Sequence, residues 1–193
     1  MRKLKVVPKS ELTEAEIFAF ESKIQAALVR MALEKELSSS ADELVVRDLL
    51  PIPDLGWASN AWVNQVATVA GGWQAAPDVN VRLAGAQQNR CVAFYKVINR
   101  TENPAIIASR FSLGATGVLG VLQLEEVWVE QEQVGFFGPI FYTDGETIRL
   151  DYFADAVVAI GGEQIGFPAM VCEPYGEQIA MDAKRRVKAA KWA

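Results

Sequence analysis

The sequence predicts a mainly β fold, a β-sandwich with a long helix before it and a short helix after it. Short β-rich segments recur between residues 91 and 174, and Gly, Pro, Asn or Asp residues separate them. Segments of this kind at intervals of roughly 8–14 residues are typical of sandwiches and barrels. The predicted strands are residues 91–99, 105–113, 118–129, 135–142, 147–158 and 164–173.

A long helix is predicted over residues 13–37, before these strands. Thr13 followed by Glu16 forms a capping box, and no Gly or Pro interrupts the stretch that follows. Apolar residues recur at steps of three and four, which places them on one face of the helix. This stripe can pack on the chain's own sandwich or contact a neighbouring subunit, and we take it as a candidate interface. Its residues are Ile17, Phe20, Ile24, Leu28 and Met31.

The region between this helix and the strands, residues 38–90, is rich in turn signals and tryptophan. Ser40 and Glu43 offer a second capping box and predict a short helical turn through Leu50. Residues 79–83 alternate between apolar and polar and predict a further strand. Three tryptophans of this region can supply core or interface area, or a platform for a sugar ring. These candidate interface residues are Trp57, Trp62 and Trp73.

The alternating apolar residues of the strands form the predicted core. Successive side chains of a strand point to opposite faces, so every second apolar residue is expected to point inward. Cys91 and Cys172 lie in apolar segments and are expected to be packing residues, which would join the first and last strands if they paired. The residues expected to be mostly buried are Val92, Phe94, Ile98, Ile106, Phe111, Leu122, Leu124, Phe141, Leu150, Tyr152 and Val171.

A short basic helix is predicted over residues 177–193. Its apolar residues fall on one face, its cations occupy the rest, and Trp192 stands near its end. Such a helix can lie on an anionic membrane surface, contact a phosphate backbone, or complement its own dipole. The candidate contacts to an anionic surface are Lys184, Arg185, Arg186, Lys188 and Lys191.

The chain therefore divides into three predicted parts: a helical arm and linker (1–55), the sandwich (56–176) and the basic helix (177–193). The formal net charge is −5, but it is unevenly distributed. The first ten residues carry four cations and no acid, and the last part carries five cations and two acids. Two basic ends on an acidic body indicate contact with something anionic, or else solvated tails.

The residue types that carry catalysis are scarce. The chain has no histidine and two cysteines, which excludes Ser-His-Asp and Cys-His catalysis and histidine-based zinc sites. Glu125 and Glu126 are adjacent and point to opposite faces of a strand. Asp151 and Asp155 would lie about 13 Å apart on an extended strand, farther than the paired carboxylates of glycosidases. We therefore expect no enzyme activity, no cofactor and no metal site.

Three segments resemble the strands of viral jelly rolls. They are residues 92–107 (VAFYKVINRTENPAII), 136–145 (FFGPIFYTDG) and 169–176 (AMVCEPYG). Residues 79–176 together look like a small single-jelly-roll capsid protein of tailless icosahedral phages with an internal membrane. The resemblance implies a jelly-roll β-sandwich, no catalytic residues, no cofactor, and a role carried by contacts between subunits.

On this basis we expect a structural subunit of an icosahedral phage capsid that self-assembles through its arms and sandwich edges. The expected partners are further copies of the chain, other capsid proteins and, through the basic ends, an internal membrane or packaged nucleic acid. The resemblance implies that the protein is located in the virion. Assembly in the host cytoplasm is expected because neither a signal peptide nor a membrane-spanning stretch is recognisable. The alternatives are a decoration or cement protein of a tailed phage and a carbohydrate-binding jelly-roll module.

Overall fold

The computed structural model describes most of the 193 residues: 3–50, 54, 65–67, 69–75, 81–82, 89–101, 104–114, 117–124 and 134–176. Over these ranges the fold is mainly β, with two six-stranded sheets and one α-helix. The helix is α1 (Glu14–Glu34). The strands are β1 (Lys3–Leu4), β2 (Val6–Pro8), β3 (Leu44–Asp48), β4 (Gln65–Ala67), β5 (Gly72–Ala75), β6 (Val81–Arg82), β7 (Cys91–Asn99), β8 (Ile106–Leu113), β9 (Gly117–Gln123), β10 (Val134–Tyr142), β11 (Thr147–Ala154), β12 (Val158–Glu163), β13 (Ile165–Gly166) and β14 (Ala169–Pro174).

The two sheets enclose one apolar core. The first sheet has the order β1-β9-β8-β11-β5, with β6 also paired to β11, and the second has the order β2-β10-β7-β14-β3, with β13 also paired to β7. Strands β4 and β12 form a separate pair. Side chains from both sheets meet in one buried cluster, which includes Phe94 and Val171 of the second sheet and Phe111 and Tyr152 of the first. This arrangement is a β-sandwich.

The strand pairs are nested along the chain. Strand β3 pairs with β14, β4 with β12, β5 with β11, β7 with β10, and β8 with β9, all antiparallel. Successive strands from the start of this region therefore pair with successive strands from its end, as in one long hairpin ribbon. The pairs β3/β14 and β7/β10 belong to the second sheet, and β5/β11 and β8/β9 belong to the first. The ribbon thus changes sheet repeatedly and wraps around the core.

The core follows the period-two pattern of the strands closely. The residues expected to be buried are buried, except Ile98 and Phe141, which are half-buried. Both lie on the helix side of the second sheet: Ile98 lines an open cleft beside α1, and Phe141 packs on the cluster beneath the helix. Their exposure reflects incomplete cover by the helix.

Helix α1 lies on the outer face of the second sheet. Its capping box forms as predicted, since Thr13 N–H donates to Glu16 Oε2 at 2.8 Å and Glu16 N–H donates to Thr13 Oγ1 at 3.2 Å. Ile24, Leu28 and Ala32 are buried in one cluster with residues of β7, β10 and β14. Of the two placements that the sequence left open for the apolar stripe, packing on the chain's own sandwich is the one observed.

The N-terminal segment closes one side of the sandwich. Strand β1 runs parallel to β9 at the edge of the first sheet, and β2 runs antiparallel to β10 at the edge of the second. Leu4 and Val6 are buried in the core between the sheets. A Cβ on Gly120 would stand 2.5 Å from Leu4 Cδ1, so any side chain at this position would force the buried Leu4 to shift. Strands β1, β2 and β3, which all lie before residue 55, therefore pair with strands of the two sheets.

Three further predictions differ from the structure. After Ser40 a 3₁₀ turn (Ala41–Glu43) leads into strand β3 instead of the helical turn through Leu50 that the sequence predicts, because the β-branched Val45 and Val46 favour pairing with β14. The predicted strand 147–158 is interrupted before β12. The predicted strand 164–173 is interrupted at Pro168, which has no N–H for a ladder hydrogen bond. Trp57, Trp62 and the predicted helix 177–193 lie outside the described residues.

Candidate functional site

Two open clefts flank the first turns of α1. The first has a volume of about 200 Å³ and is almost wholly apolar, with Leu12, Phe20 and Phe137 in its lining. The second, of about 340 Å³, is lined on one wall by the helix and on the other by residues of β7 and β10. Phe136 of β10 lines both clefts. The first half of the helix therefore contacts the sheet through Phe20, whose ring centroid lies 6.1 Å from that of Tyr95, and leaves apolar surface accessible on either side.

Phe18 projects from this part of the helix and is 73% exposed. It lines the second cleft, and Ala15 and Ala19 beside it are also exposed. Residues three and four apart are neighbours on a helix surface, so these three side chains form one small uncharged patch. The second half of the helix differs, because its outward surface carries the exposed ion pair between Arg30 and Glu34, with Nε and Oε1 3.7 Å apart.

Charged side chains of both signs surround the second cleft. Glu14 and Glu21 stand on the helix wall, Lys96 stands opposite on β7, and Lys9 lies on the turn that precedes the helix. Glu21 accepts a hydrogen bond from the hydroxyl of Tyr95 at 3.1 Å. Burial, together with this neighbouring carboxylate, raises the pKa of Tyr95 above its ordinary value, so the hydroxyl stays a donor. The cleft thus has an acidic wall and a basic wall.

A second surface cluster lies on the first sheet, around Trp73. Its ring packs edge-on against Phe153, with 5.6 Å between the ring centroids, and the Arg110 guanidinium lies 4.6 Å from its centroid. Asp151, which is buried, accepts hydrogen bonds from Arg110 Nε at 2.8 Å and Arg149 Nε at 2.9 Å. Because one face of the Trp73 ring is engaged by Arg110, the ring is less available for stacking on a sugar.

A buried ionic network at the edge of the second sheet was not predicted from the sequence. Arg47 of β3 binds Asp54 through both terminal nitrogens, at 2.6 and 2.8 Å, and Glu173 of β14 at 2.6 Å. Arg90 adds an ion pair with Glu173 at 2.8 Å and donates to the Asp54 carbonyl at 2.9 Å. Burial alone would lower the pKa of Arg47, but the two carboxylates raise it above its ordinary value. Two cations and two anions balance, so the network links β3 to β14 and leaves no charge in excess.

The remaining buried reactive groups have packing roles. Glu163 accepts hydrogen bonds from the N–H groups of Ala105 and, at 2.8 Å, Ile106, which ties β12 to the start of β8, and burial raises its pKa. Cys91 and Cys172 are free thiols directly opposite each other on β7 and β14. Burial raises the pKa of Cys91 to about 12 and that of Cys172 to about 11, so both stay protonated at neutral pH.

The structure separates the candidate interface residues that the sequence singled out. On α1, Ile24 and Leu28 are buried against the second sheet, while Ile17, Phe20 and Met31 are partly buried beside them. Among the large apolar residues of α1, the exposed one is Phe18, which the stripe did not include. An isolated Phe one position off an apolar stripe was the available signal. Trp73 lies on the opposite sheet, and the candidate anionic-surface contacts Lys184, Arg185, Arg186, Lys188 and Lys191 lie outside the described residues.

The described ranges contain no group of three or more His, Cys, Asp or Glu side chains that could hold a metal ion. Within them, no helix is long and apolar enough to cross a membrane. No protein-family model matches this chain, and no curated protein matches it.

Proposed function

We propose that this chain is a structural subunit of an icosahedral phage capsid and that its sandwich is a jelly roll. The observation that carries the proposal is the nested pairing of β3/β14, β5/β11, β7/β10 and β8/β9. A jelly roll consists of eight strands in two sheets with Greek-key connections. This form arises when the successive strand pairs of one long antiparallel ribbon are placed alternately in the two sheets. Viral capsid proteins are one of the main uses of that architecture.

The way in which the edges of the two sheets are covered and held supports a role as a rigid building block. Edge strands expose unpaired backbone groups, which invite uncontrolled association. Here β1 and β2 cover one edge of each sheet, and the buried network of Arg47, Asp54, Arg90 and Glu173 binds edge strand β3 to β14. A body held in this way can present defined surfaces to its neighbours.

The proposed partners are further copies of the chain and other capsid proteins, within a virion assembled in the host cytoplasm. The basic residues at both ends of the sequence favour an additional contact with an internal membrane or with packaged nucleic acid. An anionic surface of either kind would attract these ends while it repels the acidic body.

Size-exclusion chromatography with multi-angle light scattering, followed by electron microscopy, tests the proposal. We expect the purified chain to form concentration-dependent oligomers, and shells or sheets when combined with the other coat proteins. A chain that stays monomeric at every concentration and never enters particles would overturn the proposal. Binding of that monomer to a glycan, lost in Trp73→Ala, would assign it instead to the carbohydrate-binding class.

A further inference from the structure

We infer that the first half of α1 is the surface through which two copies of this chain pair about a two-fold axis, with Phe18 of each copy seated in the second cleft of the other. This inference rests on the proposed function, because it names the contact through which the subunit would self-associate. It places the contact on the open end of the helix, since Ile24 and Leu28 are already buried within the chain.

The first argument is the match between Phe18 and the cleft beside it. Phe18 is 73% exposed, and the adjoining cleft of about 340 Å³ offers the apolar walls of Ile98, Val134 and Phe136. Aromatic side chains that fill apolar pockets contribute most of the binding energy at many protein interfaces. A two-fold contact is self-complementary, so one exposed ring and one open cleft per copy satisfy each other twice.

The second argument is charge. The helix wall of the cleft carries Glu14 and Glu21, the opposite wall carries Lys96 of β7, and Lys9 lies on the turn before the helix. Two copies related by a two-fold axis can place the acidic wall of each against the basic wall of the other. A membrane or a nucleic acid, with a single sign of charge, would meet repulsion from one wall, so a second copy is the occupant that these charges favour.

The third argument is the small size of the neighbouring side chains. Ala15 and Ala19 flank Phe18 on the exposed surface. The distance between two packed helices depends on the side chains at the contact, and alanine permits the short distances. The exposed charges of Arg30 and Glu34 stand farther along the helix and leave this approach open.

Site-directed cross-linking provides the direct test, and the protein suits it because its two native thiols are buried and protonated. One tagged chain carries Phe18→Cys, and a second, differently tagged chain carries Val134→Cys. We expect a short bis-maleimide to link the two chains in the mixture. The matched control replaces Phe18→Cys by Val157→Cys, an apolar position that is 67% exposed on the loop before β12, and we expect no link.

Sedimentation equilibrium provides the quantitative test. Phe18→Ala should weaken self-association by about tenfold or more, and Val157→Ala should leave it unchanged. Glu14→Lys should weaken it by about two- to five-fold at low salt, whereas Glu34→Lys, with the same change of charge on the same helix, should not. At a protein concentration low enough for the chain to be monomeric, each variant should keep the urea midpoint of the natural chain, which shows that the fold is intact.

The outcomes separate this inference from the proposed function. Wild-type oligomers that tolerate Phe18→Ala, or equal cross-linking from positions 18 and 157, would overturn the inference and leave the capsid proposal standing. A wild-type chain that never associates would overturn both. Selective cross-linking from position 18, together with loss of association in Phe18→Ala, would establish the contact.

Discussion

The two halves of α1 belong to the same helix and lie over the same sheet, yet they relate to that sheet in different ways. In the second half, Ile24, Leu28 and Ala32 are buried with residues of β7 and β14. In the first half, Ile17 and Phe20 are only partly buried, and clefts remain on both sides. The second half is the more deeply buried anchor of the helix, and the first half leaves apolar side chains partly exposed.

The cause lies in the strand beneath the first half. Between Phe136 and Ile140, β10 places three residues opposite one residue of β7, which is a local irregularity in the ladder. Gly138 and Pro139 lie in this stretch, where one lacks a side chain to support the helix and the other lacks an N–H for the ladder. Such irregularities bend a strand and increase its local twist, so a straight helix cannot follow the sheet along its whole length.

The largest expected effect comes from removing the anchor of the second half. Leu28→Ala should lower the free energy of unfolding by about 2–5 kcal/mol, because it leaves a cavity in a buried cluster. Phe18→Ala in the first half should change it by no more than about 0.5 kcal/mol, because the ring is exposed. Urea unfolding at low protein concentration measures both. Similar losses for the two variants would abolish the distinction between the halves.

A smaller effect is expected at Gly120, which supports the segment beside the first cleft. In Gly120→Ala the new methyl group would meet the side chain of Leu4, and we expect a loss of about 1–3 kcal/mol. Hydrogen exchange should become faster in β1 and β2, and the cleft lined by Lys5 and Val7 should widen. Gly176→Ala is the matched control, since no atom lies within 4 Å of its added Cβ. Equal exchange in both variants would show that the segment is not held at Gly120.

The smallest change concerns the reactivity of the two native thiols, which reports on how tightly the second half of α1 packs on the sheet. Because burial raises the pKa of Cys91 to about 12 and that of Cys172 to about 11, their thiolate fraction stays low even at pH 9. Maleimide labelling should therefore be much slower than for a cysteine introduced at position 18, and Leu28→Ala should accelerate it. Rapid labelling of the native chain near pH 8 would mean that the helix opens at its second half.

The strands were the most predictable part of the molecule. The segment 91–99 was predicted with the bounds that β7 has, and 106–113 and 134–142 were predicted to within one residue at each end. These strands alternate apolar side chains between turn residues, so their pattern is local. The start of α1 was predictable for the same reason, because Thr13 and Glu16 form its cap within one turn.

The candidate site was predictable only in part. The helix was identified as an interface element, but its buried stripe, and not Phe18, was assigned to the interface. Whether an apolar stripe faces the chain's own sheet or a neighbour depends on what lies beneath it. The buried network of Arg47, Asp54, Arg90 and Glu173 was missed, since its members are far apart in sequence and each resembles an ordinary surface charge.

The sequence by itself determined that this chain is mainly β, where its longer strands and its capped helix lie, and which of their residues alternate into a core. These properties follow from side-chain periods and turn chemistry over a few residues. Only the tertiary structure decided that the strands pair as a nested ribbon, that the N-terminal segment closes one side of the sandwich, and that the helix is buried more deeply along its second half. Those features depend on contacts between distant segments and on the irregularity of β10. A local sequence pattern does not show which distant segment a strand or helix will contact.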